Sequence, residues 1–261
     1  MKFPSPSLIL FPALFASHAS AASLINDFSS SPFTTETTDG QWEIGSGTYN
    51  NSAGAGVTSS ASFSLPGIRG TDFTVSTQFT ISASTVSPSG GVSTVGFGVL
   101  SLSSTFAGAA TDSAYYLADF GYAVGSGNTG LGRLRVIGAG DTSGTTPVAG
   151  LATDGASSTF AIQTGTTYTL KLSGIYSSGS LSLALGLYDA TGTIQYGTNG
   201  TLVDTTPIAG DVFGFRDRAD SNGSTAVSFD NYALQTVPEP SVFALILPAA
   251  ALLGRRRVRR A

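Results

Sequence analysis

The sequence has no cysteine, one tryptophan, one methionine and a single histidine, His18, and only 11% of its 261 residues are charged. Without cysteine there are no disulfide staples, no thiolate nucleophile and no cysteine-based zinc or iron–sulfur centre. With no histidine beyond residue 18, Ser-His-Asp triads, Cys-His dyads and histidine-ligated metals are excluded from the main body of the chain. Glutamate is scarce as well, since only Glu36 and Glu43 lie between residues 23 and 237. The same span holds six basic residues (Arg69, Arg133, Arg135, Lys171, Arg216 and Arg218) against fifteen acidic ones, a net charge of −9, compared with −4 for the whole chain. Binding a phosphate backbone needs clustered Lys and Arg, so nucleic acid is excluded as an expected partner. Adhesion to cations or to neutral glycans is compatible with this charge. The composition supplies apolar residues at 41% and 33 glycines. That is enough to bury a core and to punctuate it with turns.

Both ends read as sorting information. Met1-Lys2 precedes an apolar stretch from Leu8 to Ala16 and then small residues around Ala19-Ser20-Ala21. A positive start, a short apolar run and a small-residue site fit a secretory signal peptide over residues 1–22, cleaved after Ala21 or Ala22. At the other end Val237-Pro238-Glu239-Pro240 is followed by the apolar run Val242 to Leu253 and by Arg255, Arg256, Arg257, Arg259 and Arg260. Pro-Glu-Pro interrupts any strand or helix, because proline lacks the amide donor and restricts its predecessor. A dozen residues rise only about 18 Å as a helix, against about 30 Å of hydrocarbon. The arginines stay on the cytoplasmic side by the positive-inside rule. Such a short, arginine-stopped anchor suits transient inner-membrane association through residues 242–253.

Residues 237–261 resemble the bacterial PEP-CTERM sorting signal: Pro238, Glu239 and Pro240, a short apolar helix, and a cluster opened by Arg255, Arg256 and Arg257, in that order. The resemblance implies export machinery and an exosortase-type processing enzyme as partners. It also implies an exported protein that ends at the outer surface or outside the cell, in company with exopolysaccharide. It implies nothing about the domain in between.

Residues 23–236 are dominated by period-two alternation. Phe73, Val75, Thr77, Phe79 and Ile81 share one face. Val57, Ala61, Phe63 and Leu65 do the same, as do Leu181, Leu183, Leu185 and Leu187, and Tyr168, Leu170 and Leu172. Further strands are expected at 94–100, 115–122, 131–137, 211–216 and 226–234. Gly, Ser, Thr, Asp and Asn separate them. Asp189-Ala190-Thr191-Gly192 is a hairpin loop in which Gly192 supplies positive φ. No helical period persists over three turns, and no fixed repeat occurs. Strands with one apolar face must pack as a sandwich or close as a barrel. The expectation is an all-β, antiparallel two-sheet sandwich. Its signposts are Asp27-Phe28, Trp42, Gly47-Thr48-Tyr49, Asp72-Phe73-Thr74-Val75-Ser76, Tyr115-Tyr116-Leu117-Ala118, Gly132-Arg133-Leu134-Arg135-Val136, Tyr168-Thr169-Leu170-Lys171-Leu172, Gly214-Phe215-Arg216 and Phe229-Asp230-Asn231-Tyr232. This series resembles the concanavalin A-like lectin/glucanase jelly roll. An immunoglobulin-like sandwich and a pair of small β domains are the competing arrangements.

Hydrolytic members of that superfamily carry a Glu-x-Asp-x-Glu strand, which this sequence lacks. A glycosidase needs two carboxyls about 5–9.5 Å apart, leaving Asp217 with Asp220, or Asp112 with Asp119, as candidate pairs. Aspartates in Gly/Asn/Ser loops are more often turn formers, so the expectation is a protein without catalysis. If strands 115–122 and 131–137 pair, Asp119 meets Arg133 or Arg135. The result is either a simple cross-strand ion pair or a polar groove edged by Tyr115 or Tyr122 that takes a sugar. For metals the composition suits only calcium, an oxygen-binding cation. Asp27 and Asp230 read locally as turn or edge residues, and the jelly-roll resemblance sets against that a structural calcium tying the first and last strands. Trp42, Phe63, Phe73, Phe79, Phe97, Phe213 and Phe229 are assigned to the core. The expected ligand is a carbohydrate or exopolysaccharide. The alternatives are an Asp-dependent glycoside hydrolase or lyase and a structural matrix protein without a discrete ligand.

Overall fold

A computed structural model describes residues 23–36, 41–54, 56–85, 93–102, 106, 114–122, 132–137, 162–219 and 224–237. The readings at residues 1–22 and 238–261, including the whole Pro-Glu-Pro, apolar and arginine tail, lie outside the described residues, as do Asp112 and Asp220. Fourteen strands occur in the described chain. They are β1 (Ser23–Asn26), β2 (Thr35–Glu36), β3 (Gln41–Gly45), β4 (Thr48–Ala53), β5 (Thr58–Ser64), β6 (Asp72–Thr85) and β7 (Ser93–Ser101). The series continues with β8 (Tyr115–Tyr122), β9 (Gly132–Ile137), β10 (Thr167–Ser177), β11 (Ser180–Asp189), β12 (Gln195–Asp204), β13 (Val212–Arg218) and β14 (Ser224–Val237).

The strands form two antiparallel sheets. One has eight strands in the order β12-β11-β10-β6-β14-β4-β3, with β1 added to β14; the other has six, β2-β5-β13-β7-β8-β9. The expected two-sheet sandwich is therefore present, and the immunoglobulin-like and two-domain alternatives fall away. Every alternating segment read in the sequence is a strand. β1, β2, β3, β4 and β12 were not read as strands. They are short, polar or glycine-broken, and β2, β3 and β12 stand at the ends of the two strand orders. There only one neighbour orders them and little apolar area is at stake.

Alternation decides which side chains enter the sandwich. Phe73, Val75, Phe79 and Ile81 of β6 face Phe213 and Phe215 of β13 in a single core, with Leu170, Leu172, Leu181, Leu183, Leu185 and Leu187. The centre is aromatic. Phe215 from the six-stranded sheet stacks on Phe229 from the eight-stranded one, with centroids 4.1 Å apart and planes 13° apart. Tyr232 meets Phe215 edge-on at 5.1 Å. Each fully buried ring contributes about 1.5–3 kcal/mol of burial, and each such pair a further ~0.5–1.5 kcal/mol. The core assignments from sequence hold, with Trp42 packed half-buried against the cluster and stacked on Tyr49 at 4.9 Å.

Two hairpins show how the turns were coded. Ser46 and Gly47 (φ 56° and 76°) join β3 to β4, and Ser178 and Gly179 (φ 52° and 81°) join β10 to β11. Positive φ at both central positions is the turn geometry that matches strand twist. The Asp189 loop forms as expected, with Gly192 at φ 70°. Asp189 Oδ1 accepts from Thr193 N at 2.8 Å and Ile194 N at 3.1 Å. These bonds, the one from Thr193 first, hold the Asp189 carboxyl below the usual carboxylate range.

Candidate functional site

The six-stranded sheet has a second face, turned away from the core, where Arg216 is buried and Arg218 half-buried. In β13 the side chains alternate: Phe213 and Phe215 enter the core, while Val212, Gly214, Arg216 and Arg218 take the other parity. Register then defines rows across that outer face. Arg216 stands opposite Ser60 of β5 and Gly96 of β7; Gly96 stands opposite Asp119 of β8, and Asp119 opposite Arg133 of β9. The neighbouring row is Ser62, Gly214, Gly98, Leu117 and Arg135. The row beyond holds Thr58, Arg218, Thr94 and Gly121.

Arg216 Nη1 lies 3.5 Å from Asp119 Oδ2, with the two side chains 2% and 0% exposed. They belong to strands separated by β7, and they meet because Gly96 between them has no side chain. A Cβ at Gly96 would overlap the Ala118 carbonyl oxygen and the Asp119 backbone. The pair is further fixed from above by Phe106. Its carbonyl accepts Arg216 Nε–H at 3.1 Å and the Tyr115 hydroxyl at 3.0 Å, and its N–H donates to Ser60 Oγ at 3.3 Å. The Phe106 ring rests on bare backbone at Gly98, where a Cβ would overlap it. It meets Tyr115 edge-on at 5.5 Å, and with Leu117 they form a small apolar cluster separate from the core. Donors, acceptors and an aromatic edge are thus held in one buried arrangement, with Arg216, Asp119, Phe106, Tyr115 and Ser60 all at 2% exposure or less.

The sequence-selected residues divide. Tyr115, Asp119, Arg133 and Arg135 fall on this hairpin, with Asp119 opposite Arg133 and Leu117 opposite Arg135 as the pairing of β8 and β9 demands. Tyr122 takes the opposite strand parity from Tyr115 and Asp119, at a register position facing Ser93, so the two tyrosines do not edge one groove. The ion-pair partner that sequence reading missed is Arg216. Its signal was present in the alternation Phe213-Gly214-Phe215-Arg216, which places it on the non-core side. What the sequence did not show was that Asp119 lies on the same row.

Asp217 lies across the sheet from Arg216, inside the sandwich. Its Oδ2 accepts from Asn51 Nδ2 of β4 at 2.7 Å and from Thr225 Oγ1 of β14 at 2.8 Å, tying the two sheets. Burial removes its carboxylate from water and pushes the pKa up to about 6, against the pull of the Thr225 and Asn51 hydrogen bonds. Asp119 and Asp217 therefore occupy opposite faces of one sheet and do not form the facing carboxylate pair that glycoside hydrolysis needs. A second inter-sheet tie runs from the Tyr116 hydroxyl to Asp204 Oδ2 at 2.5 Å, with Ile208 N–H donating to the same hydroxyl at 3.0 Å. Burial and the Asp204 bond raise the Tyr116 phenol above its ordinary range, keeping it a donor.

The residues singled out for calcium each make a local turn contact. Asp27 is exposed, and its Oδ1 accepts Ser29 N–H at 3.1 Å; that bond holds its carboxyl below the usual range. Asp230 Oδ1 accepts Asn231 N–H at 2.7 Å. Each carboxylate gives one oxygen to a local turn, and no cluster of three acidic, histidine or cysteine side chains occurs among the described residues. The first and last strands are tied instead by backbone pairing, from Ser23 opposite Gln235 to Asn26 opposite Tyr232.

Fold and site together define an antiparallel two-sheet sandwich with an arginine-bearing face outside its core. No protein-family model matches the chain, and no curated protein matches it. Among solved structures it is similar to the basic winged bean lectin with Tn-antigen (11% identity, TM-score 0.49, covering 84% of this chain and 100% of that one). It is also similar to a Bauhinia forficata lectin in complex with GalNAc (14% identity, TM-score 0.49, 84% and 99% covered). A third similar structure is an alginate lyase in complex with alginate trisaccharide (15% identity, TM-score 0.45, 84% and 98% covered).

Proposed function

We propose that this protein is an exported, cell-surface or extracellular-matrix sandwich that binds carbohydrate without catalysis, on the outer face of its six-stranded sheet. The observation that supports this is the Arg216–Asp119 pair with its Phe106, Tyr115 and Ser60 partners. Arg216, Asp119 and Tyr115 are 2%, 0% and 1% exposed, so they brace the sheet, and contact with a sugar is assigned to half-buried Arg218 beside Arg216 on β13. Export and surface display rest on the terminal signals, with Pro238, Glu239 and Pro240 as the processed motif.

The test is affinity electrophoresis of the purified protein through gels containing a polysaccharide panel. Selective retardation without shortening of the polymer is expected. Release of new reducing ends would establish an enzyme, and no retardation by any polymer would leave a purely structural matrix protein. For the sorting reading, replacing Pro238, Glu239 and Pro240 by alanine should retain the unprocessed chain at the inner membrane of an exosortase-containing host. Unchanged processing would refute it.

A further inference from the structure

We infer that the sandwich holds an internal water-binding site between its two sheets, lined by Asp217 of β13, Asn51 of β4 and Ser59 of β5. The three residues are 0%, 2% and 0% exposed. Asp217 Oδ1, Asn51 Oδ1 and Ser59 Oγ are all buried and have no hydrogen-bond partner among the described residues. Buried polar atoms are paired in the great majority of cases, and an internal water is the ordinary partner where the protein supplies none.

The topology gathers these atoms in one place. Asp217 and Ser59 stand directly opposite in the pairing of β13 with β5, which sets their Cβ atoms about 4.5–5.5 Å apart on the core side. From the other sheet Asn51 Nδ2 donates to Asp217 Oδ2 at 2.7 Å, and Thr225 Oγ1 donates to the same oxygen at 2.8 Å. The second oxygen of the carboxylate and of the amide therefore flank a contact already made, with the Ser59 hydroxyl on the neighbouring strand. The next core positions along β4 and β5 are Ala53 and Ala61, small buried side chains that leave room beside it.

The chemistry of the occupant follows from donors and acceptors. Asp217 Oδ1 and Asn51 Oδ1 accept, while Ser59 Oγ both donates and accepts. A water that gives its two hydrogens to the carboxylate and amide oxygens and accepts the serine hydroxyl makes about three hydrogen bonds, the usual complement of an internal water. Calcium takes about 6–8 oxygen ligands, far more than one carboxylate, one amide oxygen and the hydroxyls of Ser59 and Thr225 provide. Trp42, opposite Asn51 in the pairing of β3 with β4, adds a buried Nε1–H that also has no partner among the described residues. An N–H donor repels a cation and suits a water.

The test is a high-resolution crystal structure of the purified protein, joined to oxygen-17 relaxation dispersion, which counts long-lived internal waters in solution. A single peak about 2.7–3.2 Å from Asp217 Oδ1, Asn51 Oδ1 and Ser59 Oγ is expected. The Ser59→Val variant, with methyl groups in place of the hydroxyl, should lose that peak and one long-lived water. An unchanged water count in the folded variant would overturn the inference. A peak with contacts of about 2.3–2.6 Å to six or more oxygens would overturn it in favour of a cation. So would a dry space, or Asp217 Oδ1 bonded directly to Ser59 Oγ. The crystal structure decides on the unaltered protein, whether or not the variant folds.

Discussion

The buried Arg216–Asp119 pair can be dissected by a double-mutant cycle. At 3.5 Å two unit charges attract by roughly 5 kcal/mol at an effective dielectric of about 20. Desolvation of both groups offsets much of this, so the net worth of the intact pair is small while the cost of breaking it is large. Asp119→Leu leaves the guanidinium buried without its counter-charge, and Arg216→Met leaves the carboxylate so; each is expected to cost about 3–5 kcal/mol. Arg216→Met also removes the donor to the Phe106 carbonyl. The double variant Asp119→Leu/Arg216→Met removes both charges and should recover most of that loss. The coupling energy between the two positions should then exceed about 2 kcal/mol, well outside the additive range of ~0.3–0.5 kcal/mol. Equilibrium urea unfolding at pH 7.5 supplies all four corners, with unchanged m-values as the check on two-state behaviour. Strictly additive single effects would refute the reasoning, because the two charges would then not be compensating one another.

Asp217 gives a pH signature of opposite sign to that of an ion-paired carboxylate. Its folded pKa of about 6 lies above its ordinary 3.8. The stability it contributes is full below the unfolded value and is lost as pH rises through about 6, a difference of roughly 3 kcal/mol. Urea midpoints at pH 4.5 and 7.5 should therefore show Asp217→Asn gaining on the wild-type protein as pH rises; parallel curves would contradict the assignment. Gly98→Ala should destabilise by about 1–3 kcal/mol through overlap with the Phe106 ring. The same change in a Phe106→Ala background should cost much less, and equal costs in both backgrounds would show that the ring does not rest there. Chelator should leave the thermal midpoint unaltered, since Asp27 and Asp230 spend their carboxylates on turns. A drop of several degrees on chelation would restore the calcium site.

The sandwich was legible because one-sided burial writes itself into sequence. Phe73, Val75, Phe79 and Ile81, and the alternate leucines from Leu181 to Leu187, are apolar because they share a single core. β7 is buried along its whole length and still read as a strand, through its β-branched and aromatic residues. β12, Gln195-Tyr196-Gly197-Thr198-Asn199-Gly200-Thr201-Leu202-Val203-Asp204, carries two glycines and a register shift against β11, so its alternation is broken. The site was legible by halves. Local pairing of β8 with β9 set Asp119 opposite Arg133, but Arg216 reaches the same row only through the non-local pairing of β13 with β7. Asp217 looked like a candidate acid by composition alone. Its partners, Asn51 and Thr225, come from distant strands of the other sheet and no local pattern announces them.

The placement of β14 bears on how the molecule withstands pulling. The strand runs from Ser224 to Val237 between β6 and β4 and pairs with β6 at twelve register positions, while β1 also lies along it. A tension entering at Val237 is directed along the strand, parallel to its neighbours. Its ladder bonds then share the load in shear, whereas a hairpin pulled open at its end would surrender them one at a time. A sandwich pulled at this point would meet stress with its most extensively paired strand.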